Sequence, residues 1–165
     1  MKEQICCLTG HRLLPQDRLE EITEALKQTV EKLIVEGVMC FRVGGAVGFD
    51  TLAAQVLFAL RERHPEIQVV LYYPFEGFTD GWSAEQIEVY QSLMPRYDDV
   101  ICVCRRPKRP AYAYLKRDRW MVEGAGHVIA YCTKKTGGTA YTVRYAEKCG
   151  CEVCLIGCLQ NPKRM

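Results

Sequence analysis

Short runs of apolar residues alternate along this chain with longer segments in which apolar residues recur every three or four positions. The short runs predict six strands, at residues 5–9, 38–43, 67–73, 99–104, 126–132 and 151–156. The longer segments predict five helices, at residues 17–36, 49–63, 83–94, 111–124 and 140–148. Strands and helices therefore follow one another in regular alternation.

The predicted strands are continuously apolar, which is typical of strands covered by helices on both faces of a parallel sheet. Their alternation with helices predicts a Rossmann-like, three-layer α/β/α sandwich with a mostly parallel sheet. With 165 residues, the chain is expected to form one domain over residues 1–165. In sheets of this kind, ligands bind beyond the carboxyl ends of the strands.

The charges of the chain nearly cancel, with 22 lysines and arginines against 20 acidic residues. Nucleic acid is not expected as a partner, since proteins that bind it usually carry a marked basic excess. A membrane is not expected either, because the apolar runs are far shorter than the roughly 20 residues that span a bilayer. The first residues lack the pattern of a secretory signal, and we expect a cytoplasmic protein.

Ten cysteines are present, which is many for this length. In a cytoplasmic protein we expect reduced thiols, most of them packed in apolar runs as small hydrophobic groups. Cys149, Cys151, Cys154 and Cys158 lie close enough in sequence to suggest zinc or an iron–sulfur cluster. No second cluster completes a ligand set, so we predict neither a metal nor a cofactor.

Polar residues and a glycine follow the first predicted strand, namely Thr9, Gly10, His11 and Arg12. The glycine allows a ligand to approach the backbone, and the threonine and histidine offer hydrogen-bonding groups. The guanidinium group of the arginine suits a phosphate or a carboxylate. We assign these four residues to a ligand-binding site.

A glycine-rich loop follows the second predicted strand and leads directly into a helix; it contains Gly44, Gly45, Ala46, Gly48 and Asp50. Such a loop brings N–H groups and the positive end of the helix dipole onto an anion. Its spacing matches neither a Walker loop nor the dinucleotide fingerprint, which disfavours a standard ATP or NAD site. Asp50 fits two interpretations, a helix cap and a ligand contact.

Another glycine-rich loop, with Gly137, Gly138 and Thr139, precedes the last predicted helix, and its main-chain donors also suit a phosphate. Arg117, in a basic helical segment, is a further candidate for a phosphate contact. If the sheet is wound as predicted, these loops outline one crevice. Bulky residues at Gly45 or Gly138 are then expected to weaken binding without unfolding the domain.

These segments together resemble the YoqJ/YpsA-like branch of the SLOG superfamily, whose relatives include DNA-processing protein A and the "lonely guy" phosphoribohydrolases. The matching segments occur in order along nearly the whole chain: LTGHR at 8–12, GGAVGFDTLAA at 44–54, RDRWMV at 117–122 and GGTAYTV at 137–143. The resemblance implies a Rossmann-like fold that binds nucleotides or nucleotide-derived molecules on its glycine loops, often as a dimer.

The hydrolase relatives carry Pro-Gly-Gly-x-Gly-Thr-x-x-Glu in the later loop, and its glutamate takes part in cleaving an N-glycosidic bond. In this chain Thr136, Ala140, Tyr141 and Arg144 replace the proline, the third glycine, the threonine and the glutamate. Because the glutamate that takes part in the cleavage is replaced, the same chemistry is not expected here. Family membership alone does not establish an activity.

We therefore expect a homodimer, phage- or stress-related, that binds or senses a nucleotide-type small molecule, ADP-ribose-like or a nucleoside monophosphate. One alternative is an N-glycoside hydrolase acting on a nucleoside monophosphate, with Asp50 and Glu76 as candidate catalytic acids. The other is single-stranded DNA binding through the basic segments 105–109 and 117–119, against which the near-neutral charge argues. Whether the chain is an enzyme stays open at this point.

Overall fold

A computed structural model describes residues 1–157 of the chain. The six strands are β1 (Ile5–Gly10), β2 (Cys40–Val43), β3 (Gln68–Tyr73), β4 (Asp99–Cys102), β5 (His127–Tyr131) and β6 (Glu152–Leu155). The five helices are α1 (Leu19–Val35), α2 (Phe49–Arg61), α3 (Ala84–Leu93), α4 (Pro110–Val122) and α5 (Gly138–Lys148). Every predicted strand and helix is present, close to its predicted bounds.

The strands form a single parallel sheet in the order β4-β3-β2-β1-β5-β6. From β1 the chain winds outward through β2, β3 and β4, and it then returns to place β5 and β6 on the other side of β1. The strand order thus reverses at β1, as in doubly wound folds. The predicted Rossmann-like α/β/α fold is confirmed.

One face of the sheet is covered by α1 and α2, which bury the larger core. Leu26, Phe41, Leu57 and Leu71 are fully buried in this core. The apolar residues of α1 recur at helical spacing and face the sheet. The loop after β1 therefore turns towards this face.

The other face is covered by α4 and α5, and its core is smaller, with Cys7, Met121, Val128 and Ala146 among its buried members. Arg42 of β2 reaches under the end of α4, where its Nη1 donates to the carbonyl oxygens of Met121 (3.0 Å) and Glu123 (2.7 Å). A cation at that end also complements the helix dipole. The loop after β5 turns towards this face, opposite to the loop after β1.

The two edge strands are more exposed than the predicted burial on both faces implies. In β4 Asp99 and Val100 are exposed, and in β6 Glu152, Cys154 and Leu155 are exposed. Each edge strand has a neighbouring strand on one side only, so its outer side is left open. The continuous apolar pattern therefore predicts strand identity correctly but overstates how deeply the edges are buried.

Nine cysteines lie among the described residues, and none of the nine forms a disulfide. Cys6 and Cys7 are fully buried, and burial raises the pKa of both thiols. Within residues 1–157 no group of three or more His, Cys, Asp or Glu residues is placed to hold a metal ion. Cys158, the last member of the cysteine-rich segment, lies outside the described residues.

The helices of residues 1–157 include none that is both long and apolar enough to cross a membrane.

Candidate ligand-binding site

A cavity of about 650 Å³ opens at the carboxyl ends of β1 and β5, where the loops after these strands diverge to opposite faces of the sheet. This volume is within the range of small-molecule sites. The walls come from four places in the chain: Thr9, Gly10, His11 and Arg12; Ala46 and Asp50; Tyr114, Arg117 and Asp118; and Tyr131, Thr133, Lys134, Thr136, Gly137, Gly138 and Thr139. Three of the predicted ligand loops therefore meet in one cavity.

Thr9 and Arg12 present polar groups from the end of β1. Thr9 is 8% exposed, and its hydroxyl makes no hydrogen bond to any residue in the part of the chain that the structure describes. Arg12 is exposed, and its guanidinium lies 5.0 Å from the ring centroid of Tyr114. Among the described residues this guanidinium has no ion-pair partner, so its hydrogen-bond donors remain available.

His11 ties the loop after β1 to the loop after β5. Its Nε2 accepts a hydrogen bond from the backbone N–H of Thr133 at 2.8 Å, and its ring contacts Tyr131 edge to face. Burial and the charge of Lys134 lower the pKa of His11. The neutral ring that results is the form that can accept the hydrogen bond, so His11 is positioned to hold the two loops together.

A glycine is required at position 44, because the side chains of Arg117 and Asp50 approach its backbone closely behind the cavity wall. A Cβ atom at this position would lie 2.7 Å from Nη1 of Arg117 and 2.8 Å from Oδ2 of Asp50. The carbonyl oxygen of Gly44 also accepts a hydrogen bond from Nη1 of Arg117. This glycine therefore makes room for an arginine and an aspartate and does not itself line the cavity.

Gly48 joins the loop after β2 to the loop after β1. Its φ of +79° is strained for other residues, and a Cβ atom there would collide with the carbonyl group of Arg12. The next N–H, that of Phe49, donates to the carbonyl oxygen of His11 at 3.0 Å. Gly48 thus also lies behind the wall, and it positions the segment that carries His11 and Arg12.

Gly45 points away from the cavity. Its φ is +74°, and a Cβ atom there would lie 2.7 Å from Cδ1 of the buried Leu71. The expectation that a bulky residue is accepted at this position is therefore contradicted. Of the predicted glycine-rich loop, only Ala46 and Asp50 line the cavity.

Asp50 is 7% exposed and lies in the first turn of α2. It is not the N-cap, which is Gly48; instead its Oδ2 accepts a hydrogen bond from the N–H of Ala46 at 3.1 Å. Burial raises the pKa of Asp50 to about 6, against the opposing effects of Arg117 and of the Ala46 N–H. Asp50 therefore holds the glycine loop in place and titrates nearer neutrality than an ordinary aspartate.

Arg117 and Asp118 form an ion pair on α4. Arg117 is 6% exposed, and its Nε donates to Oδ1 of Asp118 at 2.7 Å. Burial acts to lower the pKa of Arg117, but the carboxylates of Asp118 and Asp50 outweigh it and raise that pKa. Arg117 is thus a buried cation held between two acids, and Asp118 keeps part of its side chain in the cavity.

The wall opposite β1 is the loop of residues 136–139 and the start of α5. Gly137 is the N-cap with a φ of +98°, and no side chain caps this end of the helix. The first N–H groups of a helix have no acceptor within it, and they carry partial positive charge. Lys134, which also lines the cavity, adds a full positive charge near this helix end.

The candidate acid Glu76 and the replaced motif position Arg144 both lie outside the cavity. Glu76 accepts a hydrogen bond from the hydroxyl of Tyr73 at 2.5 Å and does not line the cavity wall. Arg144, at the position of the glutamate in the hydrolase relatives, donates from Nη1 to the carbonyl oxygen of Lys135 at 3.0 Å. It therefore braces the loop before α5 and is not among the residues that face the cavity.

Sequence reasoning missed Tyr114, Tyr131, Thr133 and Lys134, which all line the cavity. Tyr131 ends β5, so its position at a strand end was a usable signal. Tyr114 lies one helical turn before Arg117, which would place it on the same side of α4. Thr133 and Lys134 carry no signal of their own, because their place depends on how the loop after β5 folds.

The parallel sheet and the position of the cavity define a doubly wound, Rossmann-like α/β protein with a strand-end cavity. A family model described as the YspA SLOG family (YpsA) matches residues 14–153. The chain therefore belongs to this SLOG family, as the motifs predict.

Relatives of similar sequence are UPF0398 proteins of bacteria. The protein of Halalkalibacterium halodurans is 30% identical over 128 residues, which are 77% of this chain and 68% of the relative. The protein of Bacillus pumilus is 24% identical over 152 residues, which are 87% of this chain and 82% of the relative.

Two solved structures of DNA processing protein A share the fold at 16% identity and a TM-score of 0.67. The match to the Streptococcus pneumoniae protein covers 94% of this chain and 51% of that protein, so this chain spans about half its length. The match to the Helicobacter pylori protein, which binds single-stranded DNA, covers 97% of this chain and 68% of that protein.

Proposed function

We propose that the cavity binds a nucleotide or nucleotide-derived ligand, such as an ADP-ribose-like molecule or a nucleoside monophosphate, and that the chain acts as a binding or sensing module. The observation that carries this proposal is that cationic, hydrogen-bonding and aromatic residues line one cavity. Arg12, Lys134 and the uncapped start of α5 face the same space.

The phosphate is proposed to lie at the start of α5. Main-chain N–H groups at a helix N-terminus bind anions well, and here Gly137 and Gly138 leave the approach open, since no atom lies within 4 Å of a Cβ built on either glycine. Arg12 and Lys134 supply full charges in the same cavity. Together they offset the negative charge of a phosphate in a cavity that also contains two aspartates.

The nucleoside part is proposed to lie against Tyr114, with Tyr131, which is 2% exposed, forming only the back of the cavity. Both line the cavity, and Tyr114 already carries the guanidinium of Arg12 over its ring. Aromatic and guanidinium planes are the groups on which bases stack in many nucleotide sites. A mononucleotide is well within the volume of about 650 Å³, which also leaves room for a longer derivative.

Isothermal titration calorimetry with AMP, GMP, CMP, UMP and ADP-ribose tests the proposal. We expect at least one of these to bind, and to raise the melting temperature, because a ligand of the native state stabilises it. Arg12→Ala should weaken binding about tenfold, as expected for loss of a charged hydrogen bond. Arg106→Ala, which removes the same charge from an exposed loop outside the cavity, should not. If none of the five compounds binds, the proposal is wrong.

A second candidate function is N-glycoside hydrolysis, which is favoured by the buried Asp50 with its pKa of about 6 in the cavity wall. A carboxyl group with a raised pKa is suited to general acid catalysis. Chromatographic detection of free base from nucleoside monophosphates would reveal this activity, and Asp50→Asn should abolish it. Binding without base release would leave the chain as a binding module.

Single-stranded DNA binding is a third candidate, favoured by the fold shared with a protein that binds such DNA. The basic residues Arg105, Arg106, Lys108 and Arg109 of the loop before α4 would be the natural contacts. Filter binding of an oligonucleotide at increasing salt distinguishes this function, since phosphate contacts make affinity fall steeply with salt. We expect no salt-dependent retention, and Arg106→Ala should weaken any retention that does occur.

A further inference from the structure

We propose that Asp118 recognises the 2′-hydroxyl of a ribose, so that the cavity selects ribonucleotides over 2′-deoxyribonucleotides. This inference rests on the proposed function, because it names the chemical class of the nucleotide that the same cavity takes. It assigns a role to Asp118, which the proposed phosphate and base contacts do not use.

The carboxylate of Asp118 is held in a fixed orientation while part of it stays accessible. Oδ1 accepts the hydrogen bond from Nε of Arg117 at 2.7 Å, and Arg117 is itself fixed by the carbonyl oxygen of Gly44. The side chain of Asp118 is 16% exposed and lines the cavity. Within residues 1–157 its other oxygen, Oδ2, accepts no hydrogen bond, so it is free to accept one from a ligand.

Asp50, the other carboxylate of the cavity, is already in use. Its Oδ2 accepts the hydrogen bond from Ala46, it lies against Arg117, and it is 7% exposed. It also fixes the loop after β2, so a ligand that displaced these contacts would loosen the wall of its own site. Asp118 is therefore the carboxylate with free capacity to bind a ligand.

Oδ2 of Asp118, which accepts no hydrogen bond from the described residues, needs a donor from a bound ligand. A ligand that covered this oxygen without offering a donor would leave it unsatisfied, which costs free energy. A carboxylate accepts hydrogen bonds only, and a ribonucleotide presents two neighbouring hydroxyl donors on its sugar. In the Rossmann dinucleotide fold an acidic residue accepts the hydrogen bond of the ribose 2′-hydroxyl for this reason.

Thr9 offers a second polar group to a ligand in the same cavity. It is more than nine-tenths buried, it lines the cavity, and its hydroxyl has no hydrogen-bond partner among the described residues. No fully buried side-chain nitrogen or oxygen among the described residues lacks a hydrogen-bond partner, so the Thr9 hydroxyl is in contact with the open space of the cavity. A hydroxyl can both donate and accept, which suits it to the sugar hydroxyls or to a phosphate oxygen.

The test compares ribonucleotides with their 2′-deoxy counterparts by isothermal titration calorimetry on the wild-type chain. The pairs are AMP, GMP, CMP, UMP and ADP-ribose, each with its 2′-deoxy form. We expect the 2′-deoxy form of any compound that binds to be weaker by about tenfold or more, as for loss of a hydrogen bond to a charged group. This comparison needs no variant, so it does not depend on a substitution being tolerated.

Asp118→Asn then assigns the preference to one residue. It should weaken the ribonucleotide selectively, so that the ribo and 2′-deoxy affinities come within about threefold of each other. Glu147→Gln, which removes the same charge from the exposed far end of α5, should leave the preference unchanged. Circular dichroism of both variants checks that each retains the fold.

Three outcomes would overturn the inference. Equal affinity for the ribo and 2′-deoxy forms contradicts sugar recognition and leaves nucleotide binding intact. A ribo preference that persists in a folded Asp118→Asn variant shows that another residue reads the hydroxyl. If no nucleotide binds at all, the proposed function itself is contradicted, and the selectivity fails with it.

Discussion

Single residues in the wall of the cavity are arranged around one buried cation. Arg117 lies between Asp50 and Asp118, and Gly44 allows this approach because it has no side chain. A buried charge is costly unless it is paired and hydrogen-bonded. The cluster therefore stabilises the wall of the cavity. Arg117 and Asp50 are both held by hydrogen bonds within the wall, whereas Oδ2 of Asp118 accepts none from the described residues.

The buried carboxyl group of Asp50 makes stability depend on pH. Its pKa is about 6 in the fold and 3.8 in a model compound, so the native state holds the proton more tightly. The stability that it contributes is complete below about pH 4 and is lost as the pH rises through about 6. Asparagine does not titrate. Relative to wild type, the free energy of unfolding of Asp50→Asn should therefore rise by about 2 kcal/mol between about pH 4 and about pH 7.

Urea denaturation of both proteins across this pH range measures the difference. The comparison concerns the change with pH and not the starting value, because asparagine also loses the charge that faces Arg117. Glu147→Gln should show no such pH-dependent difference, since Glu147 is exposed on α5. A constant difference between Asp50→Asn and wild type would mean that Asp50 is ionised in the fold over the whole range.

Loops and helix ends explain why the predicted glycines divide into two kinds. Gly44, Gly45 and Gly48 belong to a loop that packs tightly against its surroundings, whereas Gly137 and Gly138 open α5 with free space around them. The same residue type therefore has different surroundings in two similar loops, tight packing after β2 and open space before α5. Sequence spacing cannot separate them, because both loops read as glycine-rich starts of helices.

Leucine at Gly45 and at Gly138 should have contrasting effects. A leucine at position 45 would have to adopt a left-handed backbone conformation, and its side chain would clash with Leu71. We therefore expect Gly45→Leu to lower the free energy of unfolding by about 3 kcal/mol or more. Gly138→Leu meets open space, so its melting temperature should stay within a few degrees of wild type while nucleotide affinity falls about tenfold.

The matched control for Gly138→Leu is Ala84→Leu. Ala84 is also a small residue at the first position of a helix, and it is exposed outside the cavity. This variant should keep both stability and affinity. Unchanged affinity in Gly138→Leu would show that the start of α5 does not contact the ligand.

The start of α3 is a helix end whose stability follows from the sequence alone. The hydroxyl of Ser83 accepts from the N–H of Gln86 at 3.1 Å, and the Gln86 side chain accepts from the N–H of Ser83 at 3.0 Å. Ser83→Ala removes one half of this capping box and should cost about 1 kcal/mol in urea denaturation. Ser92→Ala, in the last turn of the same helix, should cost much less.

At the scale of the whole molecule, the site exists because the strand order reverses at β1. The chain leaves β1 towards one face and β5 towards the other, which opens a crevice between two neighbouring strands. Residues from positions 9 to 139 then share one cavity although they are far apart in sequence. The cavity is thus a product of the topology and not of any single loop.

The quaternary state is the remaining prediction at this scale. We expect a homodimer in solution, as the family resemblance implies, and thus a mass of twice the 18.8 kDa of one chain in light scattering coupled to size exclusion. A mass that stays at that of one chain over a wide range of protein concentration would contradict this expectation.

The sequence by itself determined the order and type of the elements, the parallel α/β fold and the family. These follow from local patterns, since apolar periodicity and glycine positions depend on neighbours a few residues apart. It also located the loops after β1, β2 and β5 as the places to look for a site. The capping box at Ser83 belongs to the same class of local information.

Only the tertiary structure decided which residues face the cavity. It turned Gly44, Gly45 and Gly48 into packing positions, placed Glu76 and Arg144 outside, and brought in Tyr114 and Lys134. The physical reason is that orientation depends on long-range packing: Arg117 is buried by contacts with residue 44, more than seventy positions away in the chain. Helices and strands leave a periodic apolar pattern in the sequence, but long-range side-chain contacts of this kind do not.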